Sequence, residues 1–364
     1  MRIEAMEIHP ITMSLHHPIP MANGVIEKTG NVVVKLVTDD GVSGWGEGVE
    51  APALTGQRQA DIVTDLESLR PLVVGSDPMR RTELWARLQA AMPEAPTAIG
   101  AIDIAVHDMV GRTLGIPIHQ LLGGAVRDRI PALTLVGSGD ASADADKLAE
   151  RFEQGFRWFK IKLGMAEPVV ELGTLAKAAD LVSAEGVVCG DVNEGWEENE
   201  ARSFLHRLDG DRIRFIEQPV TRTDRDALLR LAASSPVRLC ADESAGSLEA
   251  VLGFVGTPVG GVSLKLIKHG GITGVMRGAG ICAAGGLSVN LAGKVIESSI
   301  SAAANLHCAA AMDRVDFGCS PANQGVVLDV SESPVTLTAG VFEVPTGPGL
   351  GVEVNEAMLE RLAS

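Results

Sequence analysis

Eight short apolar runs rich in Val and Ile recur between about residue 126 and residue 330, separated by amphipathic helical stretches. They are "PALTLVG", "RWFKIKLG", "GVVCGDVN", "RIRFIEQP", "VRLCADES", "GVSLKLIKHGG", "LSVNLAG" and "RVDFGCSP". Strand and helix patterns in alternation predict a parallel sheet, because parallel strands need a crossover of helix length between them. Eight such units, one about every two dozen residues, fit a closed (β/α) barrel better than an open doubly wound sheet. No glycine-rich dinucleotide fingerprint follows the first run, which further disfavours a Rossmann arrangement. Little helix follows the last run, so the expected barrel lacks one outer helix.

The flanking zones read differently. Residues 1 to about 125 open with strand-like Ile3–Leu15 and Asn31–Thr38, with a loop expected around "PIPMANGVIEKTG". "TDDGVSGWGEG" predicts a hairpin through its Asp-Gly turn. Two helical patterns follow, "RQADIVTDLESLRPLVVG" and "AIGAIDIAVHDMVGRTLGIPIHQLLGG", the second closing on glycines as helix ends do. This zone is α+β. The tail from 331 is punctuated by Gly and Pro, is strand-like, and is expected to return to the first domain.

Bulk properties exclude several classes. With 364 residues, 46% of them hydrophobic, the chain can bury a large core or two domains. A formal charge of −16 argues against nucleic acid or an anionic membrane as partner. No run has the length of a membrane span, and "MRIEAMEIHPITMSL" alternates like a strand, unlike a signal peptide. The five cysteines are scattered, without metal-type spacing, which suits free thiols in a reducing compartment. The expectation is a cytoplasmic protein.

Chemistry concentrates where the runs end. In a barrel of this type, residues at strand C-termini face the active-site mouth. Reading those ends in order gives Lys160 and Lys162, then Asp191, Glu217, Asp242 and Lys265, each step being about one βα unit. Three carboxylates at one place repel each other unless a cation neutralises them. Oxygen-only ligands on rigid strands point to a hard ion, Mg²⁺ first and Mn²⁺ second. Lys160 and Lys162, two apart, share one strand face, and Lys265 stands on the other side of the acids. A lysine works as a base when its pKa drops, and a neighbouring ammonium and a dication both push that way. Lys160 is thus assigned the lowering of the Lys162 pKa. Removing a proton α to a carboxylate makes an enediolate, which needs a cation. Lysines on opposite faces allow removal on one face and return on the other.

These residues resemble the enolase superfamily, specifically its muconate lactonizing enzyme subgroup. The resemblance covers nearly the whole chain through "GWGEG" (44–48), "KIK" (160–162), "DVNEGW" (191–196), "EQP" (217–219), "ADES" (241–244), "KLIKHGG" (265–271) and "GKVIESSI" (293–300). It implies an α/β fold, a modified (β/α)7β TIM-type barrel over 126–330 beneath an α+β capping domain over 1–125 that the tail 331–364 rejoins. It also implies Asp191, Glu217 and Asp242 as metal ligands and Lys162 and Lys265 as the acid/base pair. Lys160 is the electrostatic partner of Lys162. Lys268 either does the same for Lys265 or salt-bridges a neighbour. Asn193 would support the metal, and Glu243 a lysine or the metal layer. The substrate is then a small carboxylate, and family habit implies a homo-oligomer.

The subgroup hosts muconate cycloisomerases, o-succinylbenzoate synthases, N-acylamino acid racemases and dipeptide epimerases. The capping segment "EAPALTG" (50–56) is similar to that of dipeptide epimerases, which makes a dipeptide epimerase the leading expectation and a muconate-type cycloisomerase the alternative. Dipeptide epimerases carry an Asp-x-Asp after the eighth strand that holds the substrate ammonium. Here "DFG" offers Asp316, with Gly318 in place of the second acid. Glu297, after the seventh strand, is placed either to contact substrate or to pack against the barrel. Met21, Val25 and Ile26 suggest an apolar lid, with Glu27 and Lys28 as polar selectors or plain loop surface. His107 and His307 lie in helical patterns and read as packing histidines, and Trp158 and Trp196 as structural. A metal-stabilised binding protein without turnover is the reading from another class, and the paired lysines argue against it.

Overall fold

The computed structural model describes residues 1–21, 24–183 and 186–363. The capping domain begins with an antiparallel sheet of β1 (Ile3–Met21), β2 (Gly24–Thr38) and β3 (Ser43–Val49), in that order. Helices α1 (Pro52–Thr55), α2 (Gln59–Val73), α3 (Arg81–Ala91), α4 (Pro96–Leu114) and α5 (Ile118–Leu121) follow. Side chains alternate across a strand, and the sheet uses both faces. Val32, Val34 and Leu36 pack with Ile62, Leu66, Leu69 and Ile99 in the cap's own core. Val33, with Ile11 and Met13, joins the core shared with the barrel. "GWGEG" explains itself here. A Cβ on Gly44 or Gly46 would fall 2.2 or 1.9 Å from the carbonyl oxygens of Ala105 and Ala101, so only glycine lets α4 lie against β3. Trp45 and Glu47 project from the opposite face.

The loop expected around residues 18–30 is instead a continuation of both strands, with Ile19 opposite Ile26 and Pro20 opposite Val25, after a register shift beyond Ser14. Ala22, Asn23 and the Met21 side chain lie outside the described residues.

Beyond the cap come β4 (Arg129–Pro131) and the eight parallel strands β5 (Leu133–Val136), β6 (Trp158–Lys162), β7 (Val187–Asp191), β8 (Ile216–Glu217), β9 (Leu239–Ala241), β10 (Gly261–Leu264), β11 (Ser288–Ala292) and β12 (Gly318–Ser320). Each falls within one of the eight apolar runs. A parallel bridge from Ala132 to Cys319 joins the first strand to the last and closes the ring. The crossovers are α6 (Ala141–Glu153), α7 (Pro168–Val182), α8 (Glu198–Leu205), α9 (Arg225–Ser234), α10 (Leu248–Gly253), the pair α11 (Leu266–His269) and α12 (Gly271–Gly285), and α13 (Ser299–Ala311). Among the described residues no outer helix follows β12 directly, as expected for a (β/α)7β barrel. Leu133, Cys189, Phe215, Cys240 and Phe317 plug the barrel floor, with the Phe215 and Phe317 rings stacked 4.2 Å apart.

The tail forms β13 (Leu337–Thr338), β14 (Val341–Glu343) and α14 (Glu356–Leu362). β14 pairs with β4, Leu350 donates to Asp108, and Lys35 of β2 pairs with Glu356. No helix among the described residues is long and apolar enough to cross a membrane.

Candidate active site

A cavity of about 370 Å³ sits over the C-terminal ends of the barrel strands, roofed by the cap. The cap contributes Ile26 from β2 and Ala51, Pro52, Ala53 and Leu54 around α1. Arg222 clamps this roof, donating to the Ala53 and Leu54 carbonyls while paired with Glu194. A larger groove of about 620 Å³ lies at the other end of the strands, around Asp180, Arg212 and Arg238. It gathers none of the paired acids and lysines, so the smaller cavity is where chemistry can occur.

The two-residue period sends Phe159 and Ile161 outward into the core and Lys160 and Lys162 inward. Lys160 is buried and donates to Glu217 Oε2. Lys162 Nζ donates to Asp191 Oδ2 and Asn193 Oδ1, both at 2.6 Å. Across the ring Lys265 Nζ lies 2.5 Å from Asp242 Oδ2. Lys268 Nζ holds Asp242 Oδ1 at 2.8 Å and the Asp242 and Ser263 carbonyls at 2.6 and 2.9 Å. Lys268 therefore salt-bridges the acid that Lys265 also holds. Gln218 of "EQP" fixes the next acid along, its amide oxygen accepting from the Asp242 and Ser244 backbone at 3.0 and 3.1 Å.

Burial would raise the Asp191 carboxyl, but Lys162 and Lys160 overcome it and hold it low. The same contest, won by Lys265 and Lys268, holds Asp242 well below the carboxylate range. Burial works to lower Lys160 and Lys265. The adjacent Glu217 and Asp242 carboxylates outweigh it and raise both ammoniums above their ordinary value. Among the protein's own charges, the acids nearest Lys265 dominate. Glu243 is pushed up to about 8 by burial and by Asp242 and Asp191. Its Oε1 accepts from Asn193 Nδ2 at 3.3 Å.

The metal ligands expected from sequence stand at three adjacent strand ends. Each is turned onto a lysine, and among the described residues no three His, Cys, Asp or Glu side chains form a group tight enough to hold an ion as they stand. The donor chemistry nevertheless fits a hard dication. Every candidate ligand is a carboxylate oxygen, and buried Glu243 Oε2 beside them has no partner. A softer donor nearby is occupied elsewhere: His269 Nδ1 accepts from the Lys265 backbone amide at 3.2 Å and its Nε2 donates to the Ala245 carbonyl at 3.1 Å.

Several residues of the site are not singled out by the sequence. Ser263 Oγ donates to Glu217 Oε1 at 2.5 Å, and Asn290 Nδ2 reaches the same oxygen at 3.2 Å. Their signal was a polar residue inside an otherwise apolar run. Lys294, beyond β11, also lines the cavity.

The structure places three further residues. Asp316 lies at the opposite end of the barrel, accepting from Ser288 Oγ at 2.7 Å at the start of β11. Gly318 opens β12, whose mouth end is Ser320, so "DFG" does not stand where an ammonium-holding Asp-x-Asp would. Glu297 is buried and packs against the barrel, accepting from the Lys294 and Ala322 amides at 3.1 and 2.8 Å, and does not line the cavity. Ile26 does line it, whereas Val25, Glu27 and Lys28 are exposed. His107 Nδ1 donates locally to the Asp103 carbonyl at 2.8 Å, and His307 stacks on His119 within the core.

Comparison with known proteins agrees with this geometry. Residues 2–123 match the family model for the mandelate racemase/muconate lactonizing enzyme N-terminal domain, and residues 143–358 the enolase C-terminal domain-like model. A chloromuconate cycloisomerase of Pseudomonas putida is 32% identical over 98% of this chain and 97% of its own. A hydrophobic dipeptide epimerase of Enterococcus faecalis is 27% identical over 97% of this chain and 99% of its own. The crystal structure of an N-succinyl Arg/Lys racemase from Bacillus cereus superposes with a TM-score of 0.93 at 26% identity, covering 100% of this chain and 98% of that one.

Proposed function

The chain belongs to the mandelate racemase/muconate lactonizing enzyme family and is an isomerase of the enolase superfamily, and from that premise we propose that it moves a proton at the carbon α to a substrate carboxylate. One observation carries this reading. Lys162 ends β6 and Lys265 follows β10, four strands apart in a closed ring of eight, so their ammoniums face each other across the cavity. A substrate lying between them presents one face of its α-carbon to each. One lysine, once neutral, takes the proton; the other, charged, delivers one to the opposite face.

Asp191, Glu217 and Asp242 would hold Mg²⁺, with Mn²⁺ as substitute. When bound, that dication supplies the positive charge that the second negative charge of an enediolate requires. Lys160 and Lys268 hold Glu217 and Asp242 in place, while Asn193 orients Lys162 through its amide oxygen. The cap roof, tied down by Arg222, excludes water from the reacting carbon.

Racemisation or epimerisation of an amino-acid derivative is the outcome this two-sided arrangement supports best. A free-amine dipeptide loses its support, because the cavity lining after β11 and β12 offers Lys294 and Ser320 and no carboxylate for an ammonium. A cycloisomerase, in which only one lysine moves a proton, is the second reading, favoured by the 32% identity to a chloromuconate cycloisomerase. The Mg²⁺-loaded protein in D₂O, offered N-acyl amino acids and dipeptides, should place deuterium at Cα by mass spectrometry. Absence of exchange with all of them, together with consumption of a muconate, would replace the first reading by the second.

A further inference from the structure

Lys294 is the one cation on the cavity wall that the site's own acids leave alone. Lys160, Lys162, Lys265 and Arg222 are each closed on a carboxylate. Among the described residues the Lys294 ammonium has no hydrogen-bond or ion-pair partner. The charges that face it are Lys265 and Lys162, of like sign, and Glu50 and Glu297, of opposite sign. Neither acid is available to it as an ion pair. Glu50 accepts the backbone amides of Gly30 and Gln59 at 2.8 and 3.1 Å. Glu297 is spent on the amides of Lys294 and Ala322. Burial, followed by Lys265, pulls the Lys294 ammonium down to about 8.

The segment that presents Lys294 is built to stay in place. Ile296, fully buried and β-branched, sits at φ 66°, in the left-handed region such residues avoid. Its carbonyl accepts from Asn31 of the cap at 2.9 Å, and Gly293 N is tied to the Ser320 carbonyl at 3.0 Å. Backbone strain held by contacts from two domains aims one unpartnered ammonium into the cavity. A half-buried charge without a counter-ion is costly, and a ligand anion would remove that cost.

We propose that Lys294 receives a second carboxylate of the substrate, remote from the reacting carbon, so that the enzyme selects dicarboxylates over monocarboxylates and over acids bearing a free amine. This deepens the proton-transfer reading and rests on the same cavity. Muconates and N-succinyl amino acids both carry two carboxylates; a dipeptide's ammonium would meet Lys294 with like charge.

Calorimetry on the Mg²⁺-loaded protein tests it with glutarate and adipate against their monoamides, which keep the shape and remove one charge. In the wild type at least one dicarboxylate should bind about 10-fold or more tightly than its monoamide, the scale by which charge-assisted hydrogen bonds exceed neutral ones. In Lys294→Met the ratio should fall to within about 2-fold, and Lys294→Arg should retain most of it. Lys294→Gln stands in should the Met variant fail to fold, with the same expected loss. No preference in the wild type, including no binding at all, overturns the proposal, as does a preference that survives in the Met or Gln variant. Deuterium exchange on the same preparations keeps the two readings apart. Exchange without charge preference removes only the Lys294 assignment, and preference without exchange removes only the proton transfer.

Discussion

Lys162 and Lys265 occupy equivalent places on opposite sides of the cavity, and their variants should fail in complementary ways. With Lys162→Ala, one enantiomer still presents its α-hydrogen to Lys265 and should exchange it for deuterium without inverting. Lys265→Ala should exchange only the other enantiomer. Inversion itself should fall by about 1,000-fold in either, within the range for loss of a general acid or base. Proton NMR in D₂O with each pure enantiomer reads both effects, and a single variant that inverts at near wild-type rate would sink the two-base scheme. Glu297 gives a second prediction at this scale. Burial lifts its carboxyl from 4.5 to about 8, against the Lys294 and Ala322 amides and the Asn305 side chain, with Glu47 nearby adding to the rise. The folded protein therefore binds more protons than the unfolded chain between those values. That contribution to stability is complete below pH 4.5 and is lost as pH rises through about 8. Glu297→Gln should show a shallower fall in urea midpoint between pH 5 and pH 8 than the wild type; parallel curves would show that Glu297 is not the titrating group.

Between elements, one acid gathers several contacts at the junction of cap and barrel. Glu47 of β3 accepts from the Ser298 and Ser301 amides at the start of α13, from Ser298 Oγ and from Asn31 Nδ2. The first turn of a helix leaves N–H groups unpaired, and a carboxylate there satisfies several at once. Glu47→Ala leaves these donors buried and should lower stability by about 3 kcal/mol or more, from the usual cost of unsatisfied buried groups. Glu356→Ala breaks only an exposed pair with Lys35 and should cost far less. Equal shifts in denaturation midpoint would mean that the junction does not depend on Glu47. The elements themselves were legible because helix and strand periods differ, and because the mouth of a parallel barrel is always at the strand C-termini. That logic brings Lys160, Lys162, Asp191, Glu217, Asp242 and Lys265 to one end of the barrel, where the structure gathers them around one cavity. It failed where a strand was too short to show its own direction. β12 has three residues and begins two after Asp316, so the acid was assigned to the wrong end. The extension of β1 and β2 was hidden because its pairing is long-range and its prolines and glycines resemble loop punctuation. Lys294 was invisible for another reason: the left-handed backbone at Ile296 shapes its segment, and no periodicity reports that.

Across the whole molecule, the tail turns two domains into one folding unit. Buried Asp108 on α4 accepts from Trp45 of β3 at 2.9 Å, from Leu350 of the tail at 2.8 Å and from Arg112, which also reaches Glu353. Burial lifts its carboxyl to about 6 against these donors. Gly349 makes the meeting possible. It has φ 67°, and a Cβ there would lie 2.1 Å from Asp108 Oδ1 and 2.7 Å from the Asp108 carbonyl. Gly256 has a similar φ of 77° with nothing near its missing Cβ. The two glycines thus separate backbone strain from close approach. Gly256→Ala should cost about 1 kcal/mol, the strain of a left-handed alanine. Gly349→Ala adds a clash with a buried carboxylate and should cost about 3 kcal/mol or more, in the range of overpacked or broken buried networks. Because Asp108 joins the cap to the tail, and the Leu350 carbonyl of the tail accepts from His307 Nε2 on α13, the loss should appear as one lowered transition. Fluorescence of Trp45 and Trp85 in the cap should then move with that of Trp158 and Trp196 in the barrel. Replacing the cap pair by Phe in one Gly349→Ala background, and the barrel pair in another, lets each domain be followed alone. Midpoints that separate would show that the tail clasps the cap without coupling it to the barrel, whereas coincident midpoints lowered well beyond those of Gly256→Ala are the expected result.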